Sequence, residues 1–359
     1  MISNKLTFGI NGEIHIPGDK SISHRAIIIP SISNGVCEIS NILKSDDVVH
    51  TLNAFKLMGV RIDEEKDKII IHGKGLNSLA KPKKDIYLGN SGTSARLLTG
   101  LLSSQSFSSI IKGDKSLSSR PMNRIVDPLK KMNANFETKN GHLPLKIIGK
   151  NLINTNHDIS IPSAQIKSGL ILACINTKGK STITENFITR DHTEIMLESF
   201  GANIEIKKNN ITKTIIVDGK KELKSIDIDV PADLSSSAFF IVAALINKNS
   251  NIKLRNINLN PTRDGILRAL KLMGANIKYK NNRIVSNENV ADIYVSSSNL
   301  NGCELDKGMA KLMIDEYPIL SIAASFANSP SIFRGLSELK VKESNRLELI
   351  KLNLNKCGI

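Results

Sequence analysis

Five times along this 359-residue chain an amphipathic stretch closes on a Met-Gly-Ala-like turn, and the first four copies give way to a β-branched strand. The copies occupy residues 52–60, 126–135, 195–203, 267–276 and 347–359, with turn residues Gly59, Asn133, Gly201, Gly274 and Gly358. Gly, and after it Asn, stops a helix in the left-handed conformation, so each copy predicts a helix end and the first four a strand after it. The turns stand 74, 68, 73 and 84 residues apart. Such regularity predicts one βα unit used repeatedly, an α/β architecture.

Each unit also predicts a second, wholly apolar helix that opens from a small polar loop. The loops are Lys20-Ser21-Ile22-Ser23, Asn90-Ser91-Gly92-Thr93-Ser94, Pro162-Ser163-Ala164-Gln165, Asp233-Leu234-Ser235-Ser236 and Asp315-Glu316-Tyr317-Pro318. Helices apolar on every side belong in an interior. Ser, Thr and Asp at their starts act as N-caps, and Pro318 suits a first turn. Several such N-termini pointing their N–H groups into one space would attract phosphate. Ahead of the amphipathic helices lie charged clusters: Asp46-Asp47, Arg120, Arg190-Asp191, Arg263-Asp264, and Lys342-Glu343 with Arg346. Equivalent points of a repeat line one surface, and capping accounts for Asp46, Asp191 and Asp264.

Length favours two domains over one core. The longest apolar run, residues 238–246, is too short for a membrane span, and residues 1–6 carry no apolar signal region. Cys37, Cys174, Cys303 and Cys357 are scattered without ligand spacing, which predicts reduced thiols in a cytoplasmic protein and neither a metal site nor a disulfide framework. The net charge of +15 is spread as isolated Lys among Asn and Ile. Without clustering or interleaved aromatics it predicts acidic small substrates, not nucleic acid or a membrane.

The segment Gly18-Asp19-Lys20-Ser21-Ile22-Ser23-His24-Arg25 combines a turn, a Lys, hydroxyls and an Arg before a helix, the composition of an anion cradle. It lacks the Gly-Lys-Ser/Thr order of a nucleoside-triphosphate loop, and no Gly-x-Gly-x-x-Gly occurs.

Gly18 to Arg25, Leu88-Gly89-Asn90-Ser91-Gly92-Thr93-Ser94-Ala95-Arg96, Arg120-Pro121-Met122, Pro162-Ser163-Ala164-Gln165-Ile166-Lys167-Ser168, Thr189-Arg190-Asp191-His192-Thr193-Glu194, Ile314-Asp315-Glu316-Tyr317-Pro318 and Val341-Lys342-Glu343-Ser344-Asn345-Arg346-Leu347 follow one another in the order found in a known family. Together they resemble the 3-phosphoshikimate 1-carboxyvinyltransferases, or EPSP synthases, and most closely the bacterial class II branch. The resemblance spans essentially the whole chain. It implies transfer of the enolpyruvyl group of phosphoenolpyruvate to the 5-hydroxyl of shikimate 3-phosphate with release of phosphate, in the route to chorismate and the aromatic amino acids. It implies no metal, no organic cofactor and a monomer.

The implied fold is the two-lobed enolpyruvyl transferase fold, each lobe an inside-out α/β barrel with buried helices, five of an expected six units being present. Residues 1–17 plus 225–359 would form lobe I, and 18–224 lobe II, with closure of the lobes over substrate. By resemblance Lys20 touches both substrates. Ser21, Arg25, Ser163, Ala164, Gln165, Arg190, Asp315 and Lys342 hold shikimate 3-phosphate. Gly92, Arg120, Gln165 and Arg346 hold phosphoenolpyruvate. Asp315 is the proton acceptor, Glu343 serves proton transfer at the methylene carbon, and Lys20 completes the catalytic set. Thr93 and Arg96 are supports, and His24 and His192 hydrogen-bonding or surface histidines. Family members continue with an Asp-His-Arg segment and a sixth unit, so the chain is expected to bind shikimate 3-phosphate weakly and turn over poorly. The alternatives are a truncated, non-catalytic remnant or incomplete record of that enzyme and, within enzymes, UDP-N-acetylglucosamine enolpyruvyl transferase.

Overall fold

The computed structural model describes residues 8–209 and 212–359, so the reading of residues 1–6 lies outside it. The first repeat is β1 (Asn11–Ile14), α1 (Lys20–Ser31), β2 (Asn34–Ser40), α2 (Asp46–Leu57) and the hairpin β3 (Arg61–Glu64) and β4 (Lys68–Lys74). Next come β5 (Ile86–Tyr87), α3 (Gly92–Ser103), β6 (Ser108–Lys112), the single turn α4 (Lys115–Ser118), α5 (Asn123–Lys131), β7 (Asn135–Lys139) and β8 (His142–Ile148). The third repeat is β9 (Asn156–Ile159), α6 (Ala164–Ile175), β10 (Lys180–Glu185), α7 (His192–Ser199), β11 (Asn203–Lys208) and β12 (Lys213–Asp218). The fourth is β13 (Ile228–Asp229), α8 (Leu234–Ile246), β14 (Asn251–Asn258), α9 (Gly265–Leu272), β15 (Asn276–Val285) and β16 (Glu288–Ser296). The chain finishes with β17 (Glu304–Leu305), α10 (Met309–Leu312), α11 (Tyr317–Ser325), β18 (Ile332–Phe333), a 3-10 turn at Ser337–Val341 and α12 (Arg346–Lys356).

The repeat is visible in the sheets. In the order β5-β6-β8-β7 the first two strands run parallel across α3, and the hairpin adds two antiparallel strands. The order β9-β10-β12-β11 has the same pattern. The remaining two four-stranded sheets exchange their first strands: β1 pairs with β14, while β13 pairs with β2. This exchange makes one of two compact units discontinuous. One unit is Lys20–Val230; the other is the chain up to Asp19 joined by Pro231–Ile359. Each has its own aliphatic core, in which a fully buried Ile or Leu contributes about 1.5–3 kcal/mol.

The closing turns behave as the pattern predicts. Gly59, Asn133, Gly201, Gly274 and Gly358 all have positive φ, from 66° to 86°. The apolar helices begin where expected, with Ser91, Ser163 and Asp233 accepting capping bonds from Ser94 N, Ile166 N and Ser235 N. Inner helices α3 and α6 cross so closely that a Cβ on Gly100 would lie 1.8 Å from the Gly169 carbonyl oxygen. That contact sets their N-termini side by side.

Three expectations need correction. Helix α8 is not interior on every side, since Phe239 and Phe240 are exposed. The acidic residues Asp46, Asp191 and Asp264 make no side-chain capping bond; Asp264 instead pairs with Arg268 at 2.8 Å. Arg263, placed by the repeat on a shared surface, is buried between Asp19 and Asp233.

Candidate active site

In the Lys20–Val230 unit, the predicted binding residues gather at the N-termini of the inner helices. Lys20 opens α1 and its Nζ pairs with Asp47 of α2. One turn on, buried Arg25 donates from Nη1 to the Ser21 carbonyl at 2.7 Å, from Nε to Thr193 Oγ1 at 2.6 Å and from Nη2 to Ser168 Oγ at 2.8 Å. Three elements, α1, α6 and α7, are therefore tied at one guanidinium. Gln165 of α6 donates to Thr93 Oγ1 of α3 at 3.1 Å, next to Ser163 and Ala164 at the start of α6. Half-buried Arg190 stands just ahead of α7.

At Gly92, which starts α3, an added side chain would press on two guanidiniums. A Cβ there would meet Arg96 Nη1 at 2.8 Å and Arg120 Nη1 at 3.0 Å. Arg120 is held by the Asn90 side chain, and Arg96 bonds the Gly92 carbonyl at 3.1 Å. Two guanidiniums and a helix N-terminus thus share one small space, which favours an anion. His24 and His192 are both buried, and His24 Nδ1 lies 2.8 Å from Thr51 Oγ1.

In the other unit, Asp315, Glu343 and Arg346 form a second group. Arg346 bonds Asp315 Oδ1 at 3.1 Å and Glu343 Oε2 at 2.7 Å, while Asn345 caps α12. Burial works against the Arg346 charge, but the Asp315 charge and the Glu343 hydrogen bond outweigh it and raise its pKa. Lys342, which precedes Glu343 in the chain, is half-buried.

Sequence reasoning missed a buried ionic network beneath the first group. Lys167 of α6, with no exposed surface, lies 3.0 Å from Glu185 Oε1 and 2.8 Å from Glu194 Oε1. Lys213 lies 3.1 Å from Glu194 Oε1 and 3.6 Å from Asp191 Oδ2. Burial disfavours the Glu194 charge, yet Lys167 and Lys213 bring its pKa down to about 2. Lys213 is raised, the charges of Glu194 and Asp191 overcoming its own desolvation. A lysine inside an otherwise apolar helix was the available signal, because an unpaired buried ammonium is too costly to persist. Sequence reasoning also missed the partner of Lys20, Asp47, the neighbour of the expected cap Asp46. Among the described residues no group of His, Cys, Asp and Glu is arranged to hold a metal, and no helix is long and apolar enough to cross a membrane.

A family model described as EPSP synthase (3-phosphoshikimate 1-carboxyvinyltransferase) matches residues 7–359. A 3-phosphoshikimate 1-carboxyvinyltransferase from Ruthia magnifica is 46% identical over 356 residues, 99% of this chain and 81% of the relative. The protein of that name from Geobacter metallireducens is 44% identical over 353 residues, covering 98% and 81%. A solved EPSP synthase from Acinetobacter baumannii superposes with a TM-score of 0.87 at 40% identity, over 97% of this chain and 78% of that one.

Proposed function

The chain belongs to the EPSP synthase (3-phosphoshikimate 1-carboxyvinyltransferase) family, and from that premise we propose how its residues divide the work on the two substrates. The reaction is the family's: the enolpyruvyl group of phosphoenolpyruvate passes to the 5-hydroxyl of shikimate 3-phosphate and phosphate leaves, a step in aromatic amino acid biosynthesis. Lys20 touches both substrates. Ser21, Arg25, Ser163, Ala164, Gln165, Arg190, Asp315 and Lys342 hold shikimate 3-phosphate, and Gly92, Arg120, Gln165 and Arg346 hold phosphoenolpyruvate.

The observation that carries this division is the crowding of Arg120 and Arg96 against Gly92. A guanidinium there offers a planar anion two donors, while the bare glycine leaves room for it. Asp315 takes the proton of the attacking hydroxyl as its oxygen bonds to C2 of phosphoenolpyruvate and C3 gains a proton. Elimination then removes a C3 proton and breaks the bond from C2 to the phosphate oxygen. Glu343 handles the C3 proton. Because Arg346 is bound by both carboxylates, it gives up a partner to receive the substrate anion, coupling phosphoenolpyruvate binding to release of the acid and base.

The functional lobes are read as residues 1–17 plus 225–359 and 18–224, a division supported by the compact units that change over at Asp19 and Val230. The chain is taken to act as a cytoplasmic monomer without nucleic-acid or membrane partners. Phosphate release tests the reading directly. It should require phosphoenolpyruvate and shikimate 3-phosphate together, stay at background with UDP-N-acetylglucosamine as acceptor, and disappear in Lys20→Met. Equal release with either acceptor would refute it.

A further inference from the structure

We propose that the buried network of Lys167, Glu185, Glu194 and Lys213 positions Arg190 and Arg25 for shikimate 3-phosphate, with Thr189 as the link to Arg190. The inference rests on the reading above that both arginines contact that substrate.

Arg190 sits between two residues that the network holds. On one side every polar group of Thr189 is engaged. Its N–H donates to Glu185 Oε1 at 3.2 Å, its hydroxyl to Glu185 Oε2 at 2.6 Å, and its carbonyl accepts from Lys167 Nζ at 3.2 Å. On the other side the Asp191 carboxylate is 3.6 Å from Lys213 Nζ. Arg25 is reached through chain neighbours of the same network. Its acceptors Ser168 Oγ and Thr193 Oγ1 lie 2.7 Å from one another. Ser168 follows Lys167 in the chain and Thr193 precedes Glu194, and the ion pair joining Lys167 to Glu194 fixes α6 against α7.

Stability alone does not account for this arrangement. Apolar side chains of similar volume commonly replace a buried ion pair at no loss of stability. They could not supply three hydrogen bonds to the one residue that precedes Arg190. Pre-organising that backbone lowers the ordering cost of binding.

Thr189→Val removes the hydroxyl and keeps the shape. It is expected to weaken shikimate 3-phosphate binding, measured by titration calorimetry, about tenfold, the scale of one hydrogen bond to a charged group. Thr189→Ser should restore affinity to within about twofold, and the KM for phosphoenolpyruvate should move less than about twofold. In an Arg190→Ala background, Thr189→Val should cost nothing more, because it acts through Arg190. If Arg190→Ala weakens binding while Thr189→Val does not, positioning is refuted and the contact stands. If Arg190→Ala binds with parental affinity, the contact reading falls and takes this inference with it. Equal weakening for both substrates, accompanied by a lowered melting temperature, would show general loosening and overturn the proposal. Should Thr189→Val fail to fold, Glu185→Gln carries the same expectations.

Discussion

Arg25 and Arg346 are both proposed to hold phosphorylated substrates, yet the protein holds them in opposite ways. Arg25 is 3% exposed and donates to two hydroxyls and a carbonyl. The Arg346 side chain is 24% exposed and is gripped by two carboxylates, Asp315 and Glu343. Hydroxyl and carbonyl acceptors on three helices fix the direction of the Arg25 guanidinium before an anion arrives. Carboxylates already match the charge of Arg346, which must exchange partners. The first arrangement suits a rigid binding surface; the second suits residues whose proton-transfer duties alternate through the reaction.

The contrast breaks most visibly at Lys167. Lys167→Met leaves Glu185 and Glu194 buried with Lys213 as the remaining lysine, and breaking a buried pair on one side costs about 3–5 kcal/mol. Urea denaturation should register that loss. A change below about 1 kcal/mol would mean the network is far better solvated than its burial implies. Arg346→Gln should do the reverse. Its exposed ion pairs stabilise by at most about 1 kcal/mol, so the unfolding midpoint barely moves. The KM for phosphoenolpyruvate should nevertheless rise about tenfold or more, the worth of charge-assisted hydrogen bonds. A variant that lost stability but kept its KM would erase the distinction between the two arginines.

Which parts of this were legible in the sequence follows from how local each signal is. A left-handed Gly or Asn at a helix end and a Ser or Asp at a helix start act within a few residues, so the closing turns and the starts of α1, α3, α6 and α8 could be read directly. The exchange of β1 and β13 could not, because a two-residue strand such as Ile228–Asp229 carries no periodicity. The network was hidden for a different reason. Lys167, Glu185, Glu194 and Lys213 come from a helix, a strand, a second helix and a second strand, and only the folded sheet brings them together. Arg263 likewise looked like a solvated helix start, since nothing near it in sequence announces Asp19. The site residues in the resemblance were legible as types in order; their partners were not.

His157 provides the smallest of these effects and sets an unpaired buried group beside the paired Glu194. It lies on the buried side of β9, and its Nε2 has no hydrogen-bond partner. Burial, with help from the Lys131 charge, lowers its pKa from 6.5 to about 4. The folded protein therefore refuses a proton that the unfolded chain accepts below about 6.5. Where the unfolded state binds more protons, stability rises with pH. The contribution of neutral His157 is thus complete above its unfolded value and is lost as pH falls from 6.5 towards 4. Glu194, lowered from 4.5 to about 2, has the same sign in a more acidic window: its contribution is present above 4.5 and is lost as pH falls towards 2. His157→Leu should flatten the dependence of the urea midpoint on pH between 6.5 and 4 while leaving the steeper loss below 4.5 in place. An unchanged slope in the upper window would mean that His157 gains a proton in the folded state as readily as in the unfolded one. The contrast between a paired carboxylate, Glu194, kept charged and an unpaired histidine kept neutral would then lose its second half.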